Sequence, residues 1–286
     1  MQLQAELELA LELIQRCGEV ARRIQAGGEQ SLQTSTKHED QSPVTLADIT
    51  VESMILDALH EHFPDDAVLA EESAALSSWQ GHARVWMIDP VDGTKDFAEG
   101  DSSWAVHIGL AIDGSPALGV VYEPGHERLS WALDHGSERL FRYREGRGGE
   151  VVDGLARAQP PEPRYRLITS KSHRSAHLDT LMRELGIQPE QTLRTASTGV
   201  KLAMIARGEA ELYAHPTQGT ELWDSCAPQV LLHAAGGRLT DMRGAPLAYA
   251  GPELHNLLGL LATPPGSEHP RLVETLRPLV SEWFPD

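Results

Sequence analysis

Leu3, Leu7, Leu11, Ile14, Gly18, Ala21 and Ile24 recur at three- and four-residue steps, so the first 26 residues read as an amphipathic helix stopped by Gly27-Gly28. A polar stretch runs from Glu29 to Gln41, and Thr45-Leu46-Ala47-Asp48 then has the form of a capping box. It opens a second helix with Ile49, Ile55 and Leu59 on one face, closed by Pro64. From Ala67 the pattern changes to short apolar runs punctuated by Gly and Pro: Ala67 to Ala70, Val85 to Ile88, Trp104 to Ile112, Ala117 to Tyr122 and Leu129 to Leu133. These read as strands of one sheet. Ala158-Gln159-Pro160-Pro161-Glu162-Pro163 continues neither a helix nor a central strand, which places a domain boundary near residue 157. That gives an N-terminal α+β domain over 1–157 and a C-terminal α/β domain over 158–286. In the second half strands are expected at Leu167 to Thr169, Glu211 to Ala214, Arg238 to Thr240 and Leu257 to Ala262, and helices at Ala176 to Leu185, Gly199 to Ala206 and Asp224 to Ala235.

Composition narrows the function classes. With 41% hydrophobic and 23% charged residues the 286-residue chain has ordinary globular usage. Its 24 Lys and Arg against 42 Asp and Glu give a net charge of −18, a field that repels nucleic acid and anionic membranes. The two cysteines, Cys17 and Cys226, are far apart and outside any CxxC, so a disulfide framework or zinc knuckle is not expected. No apolar run approaches the length of a membrane span and the first residues do not resemble a secretion signal; a cytoplasmic location is the expectation.

Candidate chemistry concentrates in Trp86-Met87-Ile88-Asp89-Pro90-Val91-Asp92-Gly93-Thr94, where an apolar strand runs directly into two carboxylates three residues apart. Pro90 biases Asp89 toward extended backbone, and Gly93 permits a positive φ and close backbone approach. Carboxylates and free amides facing one point suit a metal-bound phosphate. Glu71-Glu72 ends an upstream apolar run in the same way, and Asp224 is expected at or near a helix N-cap, with Pro228 tolerated in the first turn. His60 with His62, and His173 with His177, read as surface features; Trp79, Trp131 and Trp283 read as core or cover.

The string from Trp86 to Phe97, Glu71-Glu72-Ser73, Ser42-Pro43-Val44-Thr45-Leu46-Ala47-Asp48, and Trp223-Asp224 followed by Ala234-Ala235-Gly236-Gly237 together resemble the inositol monophosphatase superfamily of magnesium-dependent, lithium-sensitive phosphatases. The elements occur in the family's order and span nearly the whole chain. The resemblance implies a layered α/β/α/β/α sugar-phosphatase fold of the α+β class, two or three Mg2+ ions, a small-molecule phosphate ester as substrate, and a family in which homodimers are common. It implies Glu71, Asp89 and the Val91 carbonyl as ligands of one magnesium, and Asp89, Asp92 and Asp224 as ligands of a second. Four carboxylates so gathered in one pocket would repel one another and shift toward protonation unless cations neutralise them, and such oxygen-only ligands favour magnesium over zinc. Glu71 and Thr94 match the pair that orients the attacking water, supported by Asp48 and Lys37.

Asp92-Gly93-Thr94-Lys95-Asp96-Phe97 is similar to the form found in 3'(2'),5'-bisphosphate nucleotidases, as are Thr169-Ser170-Lys171-Ser172-His173 and Thr198-Gly199-Val200-Lys201-Leu202. The resemblance therefore implies hydrolysis of 3'-phosphoadenosine 5'-phosphate, with inositol monophosphatase activity as the alternative. Substrate contacts are implied at Asp92, Gly93, Thr94, Lys171, His173, Thr198, Lys201 and Asp224. Two positions depart from the nucleotidase pattern: Lys171 stands in place of arginine, and Leu212-Tyr213-Ala214-His215-Pro216 lacks the arginine expected there.

Overall fold

Helix α1 (Gln4–Ala26) carries its apolar residues as one stripe, burying Leu7, Leu13, Ile14, Cys17 and Ala21. The computed structural model describes residues 2–36, 43–76, 78–154, 165–171 and 175–285. After α1 come a one-turn helix, α2 (Glu29–Leu32), and an antiparallel pair, β1 (Ser35–Thr36) with β2 (Pro43–Val44). Each is too short to show a period in sequence. Helix α3 (Leu46–His62) starts at the expected capping box: the Thr45 hydroxyl accepts from the Ala47 N–H, and Asp48 accepts from the Thr45 N–H at 2.7 Å. Ile55 and Leu59 are buried as expected, but Ile49 is 52% exposed. The buried stripe steps through Ala47, Val51, Ile55 and Leu59, and Ile49 lies two positions off it.

Seven strands form the first sheet in sequence order: β3 (Ala67–Ala70), β4 (Arg84–Asp92), β5 (Ala105–Ile112), β6 (Ser115–Glu123), β7 (Arg128–His135), β8 (Glu138–Glu145) and β9 (Val151–Asp153). β3 and β4 are parallel; every other pair is antiparallel. A 3-10 turn, Glu71–Leu76, leaves β3, and a short helix, α4 (Thr94–Ala98), follows β4. The second sheet comprises β10 (Leu167–Ser170), β11 (Thr192–Thr195), β12 (Leu212–His215), β13 (Arg238–Thr240) and β14 (Leu260–Thr263), in the spatial order β11-β10-β12-β14-β13. Its helices are α5 (Ala176–Glu184), α6 (Thr198–Ala206), α7 (Leu222–Ala234) and α8 (His269–Trp283).

Side-chain alternation along the strands defines five layers. On β5, Val106, Ile108 and Leu110 join the core beneath α1 and α3, while Ala105 and Ala111 on the opposite face meet residues of α6 and α7. In the second sheet Ile168, Tyr213, Leu260 and Ala262 face α6 and α7. Leu167, Leu212, Ala214 and Leu261 face α5 and α8 instead. The order is thus helix pair, seven-stranded sheet, helix pair, five-stranded sheet, helix pair, the layered α/β/α/β/α arrangement that was expected. The boundary expected near residue 157 falls outside the described residues.

Two local expectations are corrected. Asp224 does lie near the N-cap as expected, the third residue of a helix capped by Glu221, but Pro228 sits well inside α7 and not in its first turn. The last strand begins at Leu260, with Leu257 left 43% exposed. Strands β8, β9 and β11 and helix α8 were not anticipated.

The middle helices lie very close to the first sheet. A Cβ on Gly119 would meet the Ala227 carbonyl oxygen at 2.2 Å, and one on Gly109 would meet the Ala227 nitrogen at 2.9 Å. Arg207, at the end of α6, clamps the same contact by donating to Glu123 at 2.9 Å, Ser130 at 3.1 Å and Glu209 at 2.6 Å. Gly119→Ala is therefore expected to lower stability by about 1–3 kcal/mol. Thermal unfolding checks this, with Gly148→Ala, whose Cβ enters open space, as the control expected to change nothing.

Candidate active site

A strand sends alternate side chains to opposite faces, so carboxylates at positions 89 and 92 of a regular strand would point apart. Here they do not. Asp89 pairs with His107 of β5 and Asp92 with Ala105, so three steps on β4 match two on β5. One residue is extruded as a β-bulge at Pro90-Val91, where proline has no N–H to withdraw from the ladder. Asp92 thereby returns to the face that carries Asp89, toward α6 and α7, while Val91 packs into the core under α1 and α3. Gly93 then takes φ +100°, a left-handed conformation open to glycine, and caps α4. A Cβ there would also approach Ala196 at 3.3 Å.

Each acidic residue is held by a different element. Glu71 stands at the end of β3, and the next residue's N–H donates to Glu52 of α3 at 2.8 Å. Asp92 Oδ2 accepts from the Ser197 hydroxyl at 2.5 Å and the Gly199 N–H at 2.7 Å, both in the first turn of α6. Asp224 Oδ2 accepts from the Glu221 N–H at 2.6 Å at the start of α7. Asp48 is fully buried and accepts the Thr45 N–H and hydroxyl on one oxygen. Its other oxygen lies 3.1 Å from the Thr94 hydroxyl, which also reaches the Val91 carbonyl at 2.9 Å.

The expected mutual repulsion is present. Burial first, and then the charges of Glu71, Asp92, Asp224 and Asp48, raise Asp89 well above the ordinary carboxylate range. Burial, then Glu221, Asp92 and Glu71, do the same to Asp224. Asp89 Oδ1 is buried and has no hydrogen-bond partner. This donor set fits a divalent cation: oxygen atoms from three segments, one of them orphaned, with a charge excess that cations would relieve.

Lys201 is buried, donates to the Ala196 carbonyl at 2.6 Å, and lies over the Tyr213 ring at 5.6 Å. Burial brings its pKa down to about 8, opposed by Asp92, Asp224 and Asp96, so at neutral pH it is a fixed positive charge beside the carboxylates. Thr198 opens α6 next to Ser197. Lys171 is elsewhere engaged: its ammonium donates to Asp101 at 2.7 Å and Ser103 at 2.8 Å. That ion pair holds Asp101 down at about 2. Lys37 and His173 lie outside the described residues. His177 stacks on Trp283, ring centroids 4.7 Å apart.

Sequence reading missed His107. It is fully buried on β5 beside Asp89 and Asp92, and burial lowers its pKa, keeping the ring neutral. Its signal was one polar residue in the apolar run Ala105 to Ile112, interpretable only once the β4–β5 register is known.

Comparison with known proteins agrees with this site. Residues 2–281 match the family model described as the Inositol monophosphatase family. The chain is 34% identical over 222 residues to the 3'(2'),5'-bisphosphate nucleotidase CysQ of Shigella flexneri, covering 73% of this chain and 80% of that one. It is 33% identical over 258 residues to the histidinol-phosphatase of Mycobacterium tuberculosis, covering 86% and 90%. Among solved structures, the inositol monophosphatase from Anabaena (Nostoc) sp. PCC 7120 superposes with TM-score 0.73 at 26% identity over 97% of each chain. The chain belongs to the inositol monophosphatase family and is an enzyme, a phosphatase of that metal-dependent family.

A raised carboxyl pKa contributes stability that is complete below the ordinary value of 3.8 and is lost as pH rises through the raised one. Asp89→Asn is therefore expected to raise the melting temperature of chelator-treated protein, by a margin that grows from mildly acidic to neutral pH. The same substitution should shrink the melting-temperature gain that magnesium gives the unmodified chain. Thermal scans with EDTA and with magnesium across that pH range check both signs.

Proposed function

We propose that the chain is a magnesium-dependent 3'(2'),5'-bisphosphate nucleotidase that hydrolyses 3'-phosphoadenosine 5'-phosphate to AMP and phosphate. The observation that carries the chemistry is the gathering of Glu71, Asp92 and Asp224 near enough for their charges to act on buried Asp89, beside a threonine hydroxyl backed by a buried carboxylate. Glu71, Asp89 and the Val91 carbonyl would hold one magnesium, and Asp89, Asp92 and Asp224 a second, of two or three ions in all. Bound ions supply Lewis acidity, favouring hydroxide over water and neutralising charge on the phosphate oxygens.

The protein's own groups do the positioning. The single proton of Thr94 Oγ is directed at Asp48 Oδ1 or the Val91 carbonyl, both within reach, which leaves an oxygen lone pair free to receive a water O–H. Glu71 is the second acceptor for that water. The two orient its lone pair toward phosphorus, and Glu71 takes the proton released as the new P–O bond forms, while the 3'-oxygen departs with the electron pair of its broken bond and takes a proton from solvent. Lys201 supplies positive charge that needs no reorganisation when the dianionic ester arrives. The Gly93 conformation and the first turn of α6, with Thr198, complete the wall around the ester.

The nucleotide is supported by the likeness to CysQ and by the Asp-Gly-Thr-Lys-Asp-Phe segment. A second reading, a phosphatase for a monophosphate such as an inositol phosphate or histidinol phosphate, is favoured by His215 at the end of β12 and Pro216 after it. No arginine is present there to grip a second phosphate. Lys171, with its charge committed to Asp101, is a weak substitute. Magnesium-dependent phosphate release from 3'-phosphoadenosine 5'-phosphate, myo-inositol 1-phosphate and histidinol phosphate, measured side by side, separates the readings. Preference for the nucleotide is the expected result; preference for either monophosphate replaces the substrate and keeps the metal chemistry. Asp89→Asn should abolish turnover, and Thr94→Ala should lower kcat by about 10²–10⁴-fold with little change in KM. Lys201→Met should raise KM by about tenfold or more.

A further inference from the structure

His107 is chemically out of place among the ligands just described. Its ring is 0% exposed, and apart from a contact with the Trp223 backbone neither nitrogen makes a well-formed hydrogen bond. Nε2 nevertheless lies 3.2 Å from Asp92 Oδ2, and Nδ1 lies 3.9 Å from Asp89 Oδ2. A buried polar group left unsatisfied costs about 1–3 kcal/mol, so its retention needs a reason. The fold makes special room for it: a Cβ on Gly199 would fall 1.9 Å from Nε2.

One ring nitrogen of His107 and one oxygen each from Asp89 and Asp92 lie within 4.8 Å of one another. Bonds of about 2.1 Å place neighbouring ligands of one octahedral ion about 3 Å apart and opposite ligands about 4.2 Å apart. The 3.2 Å from Nε2 to Asp92 Oδ2 is the spacing of neighbouring ligands, whereas the 3.9 Å to Asp89 Oδ2 belongs to the other nitrogen, Nδ1, and the three-residue set as a whole spans up to 4.8 Å. A neutral imidazole carries a lone pair in the ring plane, and Asp89 Oδ1, also without a partner, adds a second unused donor at the same place.

We propose that His107 is a nitrogen ligand of the cation shared by Asp89 and Asp92, making this a mixed carboxylate–imidazole centre rather than an all-oxygen one. The proposal rests on the reading of Asp89 and Asp92 as cation ligands and adds a selectivity to it. Imidazole raises affinity for cobalt, nickel and zinc far more than for magnesium, so the chain discriminates less strongly for magnesium than an all-carboxylate site would. Gly199 is glycine because the ring occupies the volume of its side chain.

The test uses the full chain stripped of metal and reloaded with Mn2+ alone, read by pulsed electron paramagnetic resonance. Nitrogen modulation from a directly bound imidazole is expected; it should change to the 15N pattern in protein labelled with 15N-histidine and vanish in His107→Asn. Competition between Co2+ and Mg2+ should show the Co2+ preference of the native chain falling about tenfold or more in that variant. Mn2+ that binds, and is lost in Asp89→Asn, but shows no nitrogen coupling would overturn the role of His107 while leaving the carboxylate site intact. Failure of Mn2+ to bind at all would overturn both. The labelled native protein gives its answer even where His107→Asn does not fold.

Discussion

Everything at this site depends on one extruded residue. Without the bulge at Pro90-Val91, Asp89 and Asp92 would lie on opposite faces of β4, one toward α1 and α3 and the other toward α6 and α7. The bulge brings both to a single face, turns the Val91 carbonyl to meet the Thr94 hydroxyl, and delivers the chain to Gly93 in the one conformation that starts α4 there. A proline inside the bulge costs no ladder hydrogen bond, so the irregularity is local. β4 remains paired with β3 and β5 along the rest of its length.

Gathering the carboxylates opposes folding, and the molecule tolerates them because all but the central one of Asp48, Asp89, Asp92 and Asp224 are tied down by donors from elsewhere. Asp48 is satisfied by its own helix cap, Asp224 by the start of α7, and Asp92 by the start of α6. The last two are helix N-termini, whose free amides and dipoles favour an anion. Asp89 has no such anchor: its Oδ1 is orphaned and its pKa is driven up mainly by burial and its neighbours' charge. The least satisfied carboxylate is thus the one at the centre, which is where a cation gains most from binding. A chain of net charge −18 can in this way bind an anion, because its local negative field recruits cations and Lys201 stands fixed beside them.

Much of this was legible in the residues, and the limits have physical causes. The helices with a clear apolar stripe, α1 and α3, and the strands ending at Glu71 and Asp92 were readable because periodicity and the local chemistry of Asp-Pro and Asp-Gly act over a few residues. Ile49 misled because any apolar residue near a stripe looks like part of it; only the neighbours' positions decide. Strand β8, Glu138-Arg139-Leu140-Phe141-Arg142-Tyr143-Arg144-Glu145, hides its pattern because it is exposed on much of its length and is held by pairing with β7. Helix α8 buries only Leu272, Leu276 and Val280 besides its first residue, a stripe interrupted by Pro278. His107 was invisible for a different reason: its meaning lies in an antiparallel register that no local pattern encodes.

The site also explains why the fold tolerates so little space in its middle layer. Glu71, Asp48, Asp89, Asp92 and Thr94 come from the first sheet and its helices, whereas Ser197, Gly199, Lys201 and Asp224 come from α6 and α7. Asp92 accepts hydrogen bonds of 2.5 and 2.7 Å from α6, so the helix must sit within hydrogen-bonding distance of the strand that bears the carboxylates. Such an approach requires glycine where the backbones cross, and Gly109 and Gly119 against Ala227, with Gly199 against His107, meet that requirement. Packing and chemistry are therefore one constraint: a layer moved outward to admit a methyl group would also release Asp92 and carry Lys201 and Asp224 away from Asp89.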